Sequence, residues 1–107
     1  MRACGSASTV GEVGRKVEDV EEEDAMPEFM DVHRSLKGVT QEQLKEAHDA
    51  DLAIQDEEKV NFKQAWGDPI SGMVFCLSEG PSAEAVQRIH ERAGHPADDI
   101  YEVPVQA

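Results

Sequence analysis

From position 26 onward the apolar residues fall into short runs with clear breaks, and the period of each run names its element. Phe29 to His33 alternates apolar and polar positions as a half-buried strand does, and Lys37-Gly38 supplies the turn after it. Thr40 with Gln43 three residues later is a capping box, opening a helix that reaches about Glu57. Val60 to Trp66 reads as a second strand, the GDPISG segment at 67–72 as a loop, and Met73 to Ser78 as a third strand centred on VFCL. These two strands form a hairpin. Pro81 and Ser82 open a second helix, which Gly94 and Pro96 end. Ile100 to Val105 is the last strand, and Pro104, with no N–H to donate to a ladder, marks it as an edge.

Strand–helix–strand–strand–helix–strand is the order of a split βαβ unit. The expected class is α+β: a ferredoxin-like βαββαβ sandwich with a four-stranded antiparallel sheet and two helices on one face. The first and third strands then lie at the sheet centre, with the last strand outside the first. Residues 1–25 stand apart, being small and polar, then acidic, with no aromatic residue and no sustained period. Such a composition buries too little apolar surface to offset chain entropy. It predicts a disordered acidic leader (1–25) ahead of a single domain (26–107).

Charge and cysteine usage narrow the partners. The 107 residues carry a formal charge of −13, of which −9 falls on residues 26–107, and Lys and Arg form no cluster. Approach to nucleic acid or to an anionic membrane surface is therefore electrostatically uphill. No apolar run nears the roughly 20 residues of a membrane span, and no basic region precedes an apolar stretch at the start of the chain. Cys4 lies in the polar leader and Cys76 in an apolar strand, which gives no disulfide framework. A cytoplasmic protein without nucleic-acid or membrane partners is expected.

Placing the helices at ~100° per residue shows where chemistry enters the fold. In the first helix the apolar arc of Leu44, Ala47, Leu52 and Ile54 is interrupted by His48, Asp51 and Gln55. In the second, His90 falls on the apolar side with Ala83 and Val86, opposite Arg88, Glu91 and Arg92. Along the strands, Asp31 and His33 share one face of the first, and Cys76 the corresponding face of the third. If that face looks toward the helices, three histidines, a cysteine and two aspartates converge. Imidazole and thiolate are ligands for borderline and soft transition metals. The candidate metal ligands are His33, His48, Cys76, His90, Asp31 and Asp51, the aspartates serving either as ligands or as groups that orient an imidazole. His95 in its Gly-Pro loop reads as an exposed turn residue, and Phe62, Trp66 and Tyr101 as packing residues. The same facing sends Met30, Val32, Met73, Phe75 and Leu77 to a sheet face that no helix covers, which suggests a face-to-face homodimer.

The segments MPEFMDVH (26–33), GVTQEQLKEAHDADLAIQDEE (38–58) and VFCLSEGPSAEAVQRIHERAGHPADDIYEV (74–103) together resemble small bacterial nickel-binding proteins of the ferredoxin-like class, long catalogued as a domain of unknown function. The resemblance covers residues 26–105. It implies a dimer of βαββαβ units that binds nickel(II), with no established reaction, and it places the family's histidines and cysteine on His33, His48, Cys76 and His90. The donor set alone would also hold zinc or copper, so nickel follows from the resemblance. Binding is expected to weaken as pH falls through the ordinary histidine range near ~6.5, since each ligand must lose its proton.

Two other readings remain open. One is a dimeric α/β-barrel enzyme, monooxygenase- or isomerase-like, with His48 and Asp51 handling a proton and Cys76 as nucleophile or redox group; it requires an open cavity. The other is an interaction module acting through the acidic leader, with purely structural histidines.

Overall fold

The computed structural model describes residues 26–107, and the expected acidic leader lies outside them. Both helices start where their caps predict. Thr40 Oγ1 accepts from the Gln43 N–H at 3.1 Å, Gln43 Oε1 accepts from the Thr40 N–H at 3.1 Å, and α1 runs over Gln41–Ile54. Its last turn tightens into a 3-10 helix, Gln55–Glu58, so the expected end near Glu57 is reached with a narrower winding. Ser82 Oγ accepts from the Ala85 N–H at 3.1 Å and opens α2, Ala83–Ala93.

The strands are β1 (Glu28–His33), β2 (Asn61–Asp68), β3 (Met73–Glu79) and β4 (Asp99–Glu102), in the order β2-β3-β1-β4 and antiparallel throughout. The α+β arrangement with two helices is therefore as expected, including central β1 and β3 and the edge position of β4. Two boundaries differ. β2 continues to Asp68 because Gly67 and Asp68 still pair with Val74 and Met73, which leaves a tight turn at 69–72 in place of a six-residue loop. β4 stops at Glu102, so Pro104 lies beyond it.

Register decides which side chains meet. Asp31 pairs with Cys76 and His33 with Val74, so Phe29, Asp31 and His33 share the helix-facing side with Val74, Cys76 and Ser78, all buried. Met30, Met73, Phe75 and Leu77 lie on the other side, along with Trp66 and Tyr101. Trp66 and Tyr101, expected to pack, are 42% and 53% exposed because no helix covers that face. Leu52, expected in the buried stripe of α1, is likewise exposed.

Beneath the helices one half of the layer is apolar: Phe29, Val60, Phe62, Ala85, Val86 and Ile89, with Ile54 and Ile100 against them. The other half holds Asp31, His33, Asp51 and His90, all buried. Above that polar half, the β1–α1 loop is tied to the β2–β3 turn. Leu36 N–H donates to Gly72 O at 2.9 Å and Gly38 N–H to Pro69 O at 2.8 Å. Gly72 has φ +80°, and a Cβ there would come within 2.8 Å of the Lys37 nitrogen, so the close approach of the two loops requires glycine. Among the described residues no helix is long and apolar enough to cross a membrane.

Candidate metal centre

Four elements and one loop deliver the polar cluster. β1 contributes Asp31 and His33, two residues apart and hence on one face; β3 contributes Cys76 opposite Asp31; α1 contributes Asp51, α2 His90, and the loop after α2 His95. Asp31 sits between two imidazoles, its Oδ1 accepting from His33 Nε2 at 3.0 Å and its Oδ2 from His90 Nε2 at 2.9 Å. His90 donates through its other nitrogen, Nδ1, to Asp51 Oδ1 at 3.1 Å. The same oxygen accepts from His95 Nε2 at 2.9 Å. The result is a continuous chain, His33–Asp31–His90–Asp51–His95, whose middle three members are at most 1% exposed.

Electrostatics in this chain favour one arrangement of protons. Burial opposes a charge on His90, but the hydrogen bonds to Asp31 and Asp51 more than reverse that, raising its pKa to about 9. With a carboxylate on each ring nitrogen, it is an imidazolium at neutral pH. Burial pushes Asp31 and Asp51 upward, and the hydrogen bonds from His33, His90 and His95 outweigh it, leaving both carboxyls below their ordinary range. Burial, with the charges of Asp31 and Asp51, pushes the Cys76 thiol well above its ordinary value. Cys76 is thus a neutral thiol in the metal-free protein, poorly suited to attack an electrophile.

The donors fit a transition metal. Asp31, His33, Cys76 and His90 each offer a ligand atom, all within 4.8 Å of one another and all in buried residues; Asp51, His90 and His95 form a second such group. Two imidazoles, a thiolate and a carboxylate are a donor set for a borderline cation. Charge balance also suits one. A divalent ion that displaces the proton of His90 and the proton of Cys76 leaves the net charge of the buried cluster unchanged, so exchange requires no new uncompensated charge in the interior.

Of the sequence-predicted residues, Asp31, His33, Cys76 and His90 come together in the first group and Asp51 in the second. His48 belongs to neither; it lines the adjoining cavity with His33, Asp51, Cys76 and His95, and its Nδ1 is buried without a hydrogen-bond partner among the described residues. His95 was expected to be an exposed turn residue. Instead its side chain is 25% exposed and bonded to Asp51. A signal for this was present at the end of α2. Gly94 adopts φ +91°, its N–H bonds to Glu91 O at 3.1 Å, and His95 N–H bonds to His90 O at 2.9 Å. This is a Schellman motif, which folds the second residue past a helix back over its last turn.

Comparison with known proteins gives the same frame. The chain is similar to SCO4226 from Streptomyces coelicolor A3(2), known from its crystal structure, at 65% identity with a TM-score of 0.74, over 75% of this chain and 99% of that one. No curated protein matches. The family model described as nickel responsive protein SCO4226-like matches residues 29–103. With that match extending from the first strand to just beyond the last, the chain belongs to the SCO4226-like family of small bacterial nickel responsive proteins.

Proposed function

We propose that the domain binds nickel(II) in its interior through Asp31, His33, Cys76 and His90, with Asp51 and His95 holding His90 in place and His48 at the border of the site. The observation that carries this reading is the convergence of four buried donor atoms within 4.8 Å from β1, β3 and α2. The donor set alone would accept nickel, zinc or copper, and the family description favours nickel among them. On binding, His90 and Cys76 give up protons and become an imidazole and a thiolate, the forms in which these groups ligate.

The test is metal analysis of untagged protein grown without supplementation, followed by calorimetric titration with nickel(II), zinc(II) and copper(II). His33→Ala and His90→Ala should abolish the tight phase. Unchanged affinity in both variants removes the site.

The working unit we propose is a homodimer in the cytoplasm, joined through the sheet faces that carry Trp66, Phe75, Leu77 and Met30. An apolar surface of that kind, rimmed by the Lys63–Glu28 and Arg34–Asp99 ion pairs, is what a self-complementary interface uses. Residues 26–107 suffice for binding in this reading, and deleting 1–25 leaves affinity intact. The enzyme reading draws on the cavity beside Cys76, of about 380 Å³. It ranks second because burial and the charges of Asp31 and Asp51 disfavour the Cys76 thiolate, the form in which a cysteine acts as a nucleophile.

A further inference from the structure

The four donors of the proposed centre are shut in, with His33 and Cys76 5% exposed and Asp31 and His90 not at all. An ion must cross protein to reach them. A cavity of about 380 Å³ leads to two of the four: His33 and Cys76 stand in its wall, whereas Asp31 and His90 lie behind. Two further cavities, one beside Glu28, Glu79 and Glu102 and one beside Thr40 and Gly67, touch none of the donors.

Burial sorts the lining into three parts. The mouth is formed by Ser35, Leu36, Lys37 and Gln43, all exposed and three of them polar. The floor carries His33, His48, Asp51, Cys76 and His95, and between the two stands an apolar wall of Val39, Leu44, Ala47, Ala65 and Val74. The mouth is pinned in place. Leu36 N–H bonds to Gly72 O, Val39 N–H to Leu36 O at 3.0 Å, and Gln43 Oε1 accepts from the Thr40 N–H. A water takes roughly 30 Å³ in the liquid, so the space admits an ion that still carries several of its own. Imidazole, thiolate and carboxylate on the floor can replace those waters, but the apolar wall offers no partner for a charge.

We propose that this cavity is the fixed route by which nickel(II) reaches and leaves its donors, and that the apolar wall at Leu44 and Ala47 sets the rate of exchange. The proposal rests on the nickel reading above. A wall residue that touches the ion only in passage alters the barrier and not the end states, so entry and exit change together while affinity stays constant.

The probe is nickel(II) chloride, with association followed by stopped-flow mixing and dissociation by a chelator chase. Leu44→Trp and Ala47→Leu, which fill the wall, should slow both rates about tenfold and leave Kd within about twofold. Leu44→Asn, which offers the passing ion a polar group, should speed both several-fold. Urea below the unfolding transition should leave the wild-type rates unchanged. Unaltered rates in both filled variants overturn the route, as does a wild-type association rate that climbs with urea, the mark of entry by local unfolding. A weaker Kd with an unchanged association rate also overturns it, since Leu44 and Ala47 would then support the bound state. Each of these results leaves the nickel reading standing, whereas wild-type protein that binds no nickel overturns both.

Discussion

His95 lies over His90, their ring centroids 5.3 Å apart, because the turn at Gly94 folds the chain back along α2 and brings both imidazoles to one oxygen of Asp51. A residue outside the helix thus steadies the aspartate that holds the helix's own buried histidine. His95→Ala removes this bond. Nickel affinity should fall about 10- to 100-fold, as for other groups that orient a ligand, with a loss of about 1 kcal/mol in the stability of the metal-free protein. Calorimetry and urea unfolding measure the two effects; an unchanged affinity would show that Asp51 is positioned without it.

The backbone that places His95 can be tested separately. A Cβ at Gly94 meets nothing within 4 Å, so Gly94→Ala introduces no clash, only the cost of holding φ at +91°. Stability should drop by about 1 kcal/mol or more, and nickel affinity should fall in the same direction as in His95→Ala.

Nickel binding should release roughly two protons per ion near pH 7, one from His90 and one from Cys76. Titrations in buffers of different ionisation enthalpy give this number directly. Cys76→Ser should reduce the release to about one. No dependence on the buffer would mean that neither group ligates.

The metal-free protein should also have a defined stability window. The His90 pKa is raised to about 9 in the fold. Its contribution is therefore complete below the unfolded value near ~6.5 and lost as pH rises through 9. Asp31 and Asp51 are lowered, so their contribution is present above the ordinary carboxylate range and lost as pH falls below it. Urea midpoints of the apoprotein should peak between these limits, and His90→Gln should remove the decline on the alkaline side. Nickel affinity should run the other way, strengthening as pH rises.

Ser78 supplies a control outside the cluster. It is fully buried on β3, and its Oγ has no hydrogen-bond partner among the described residues. Ser78→Ala should stabilise the fold by about 1 kcal/mol and leave nickel binding untouched. A destabilised variant would indicate a bridging water at that hydroxyl.

Much of this architecture was legible along the chain, because the signals were local. Thr40 with Gln43, Ser82, and Gly94 with Pro96 are contacts or conformations within a few residues, and the alternation around Asp31 and Cys76 states which side chains share a face. The position of His95 was legible in the same way, through the Schellman geometry at Gly94, but the Gly-His-Pro sequence reads first as a loop. Leu52, Trp66 and Tyr101 were misplaced because apolar character does not say whether another layer lies above a residue.

The sequence by itself determined the elements, their order and the side of each helix on which His48, Asp51 and His90 lie, since caps, turns and periodicity act within single segments. Only the tertiary structure decided how the donors are grouped. It set Asp31 between two imidazoles, made His90 the shared member of both groups, and left His48 on a cavity wall. The physical reason is that a hydrogen bond or a metal site depends on distances of a few ångströms between atoms 39 to 59 residues apart in the chain, and those distances follow from strand register and helix packing.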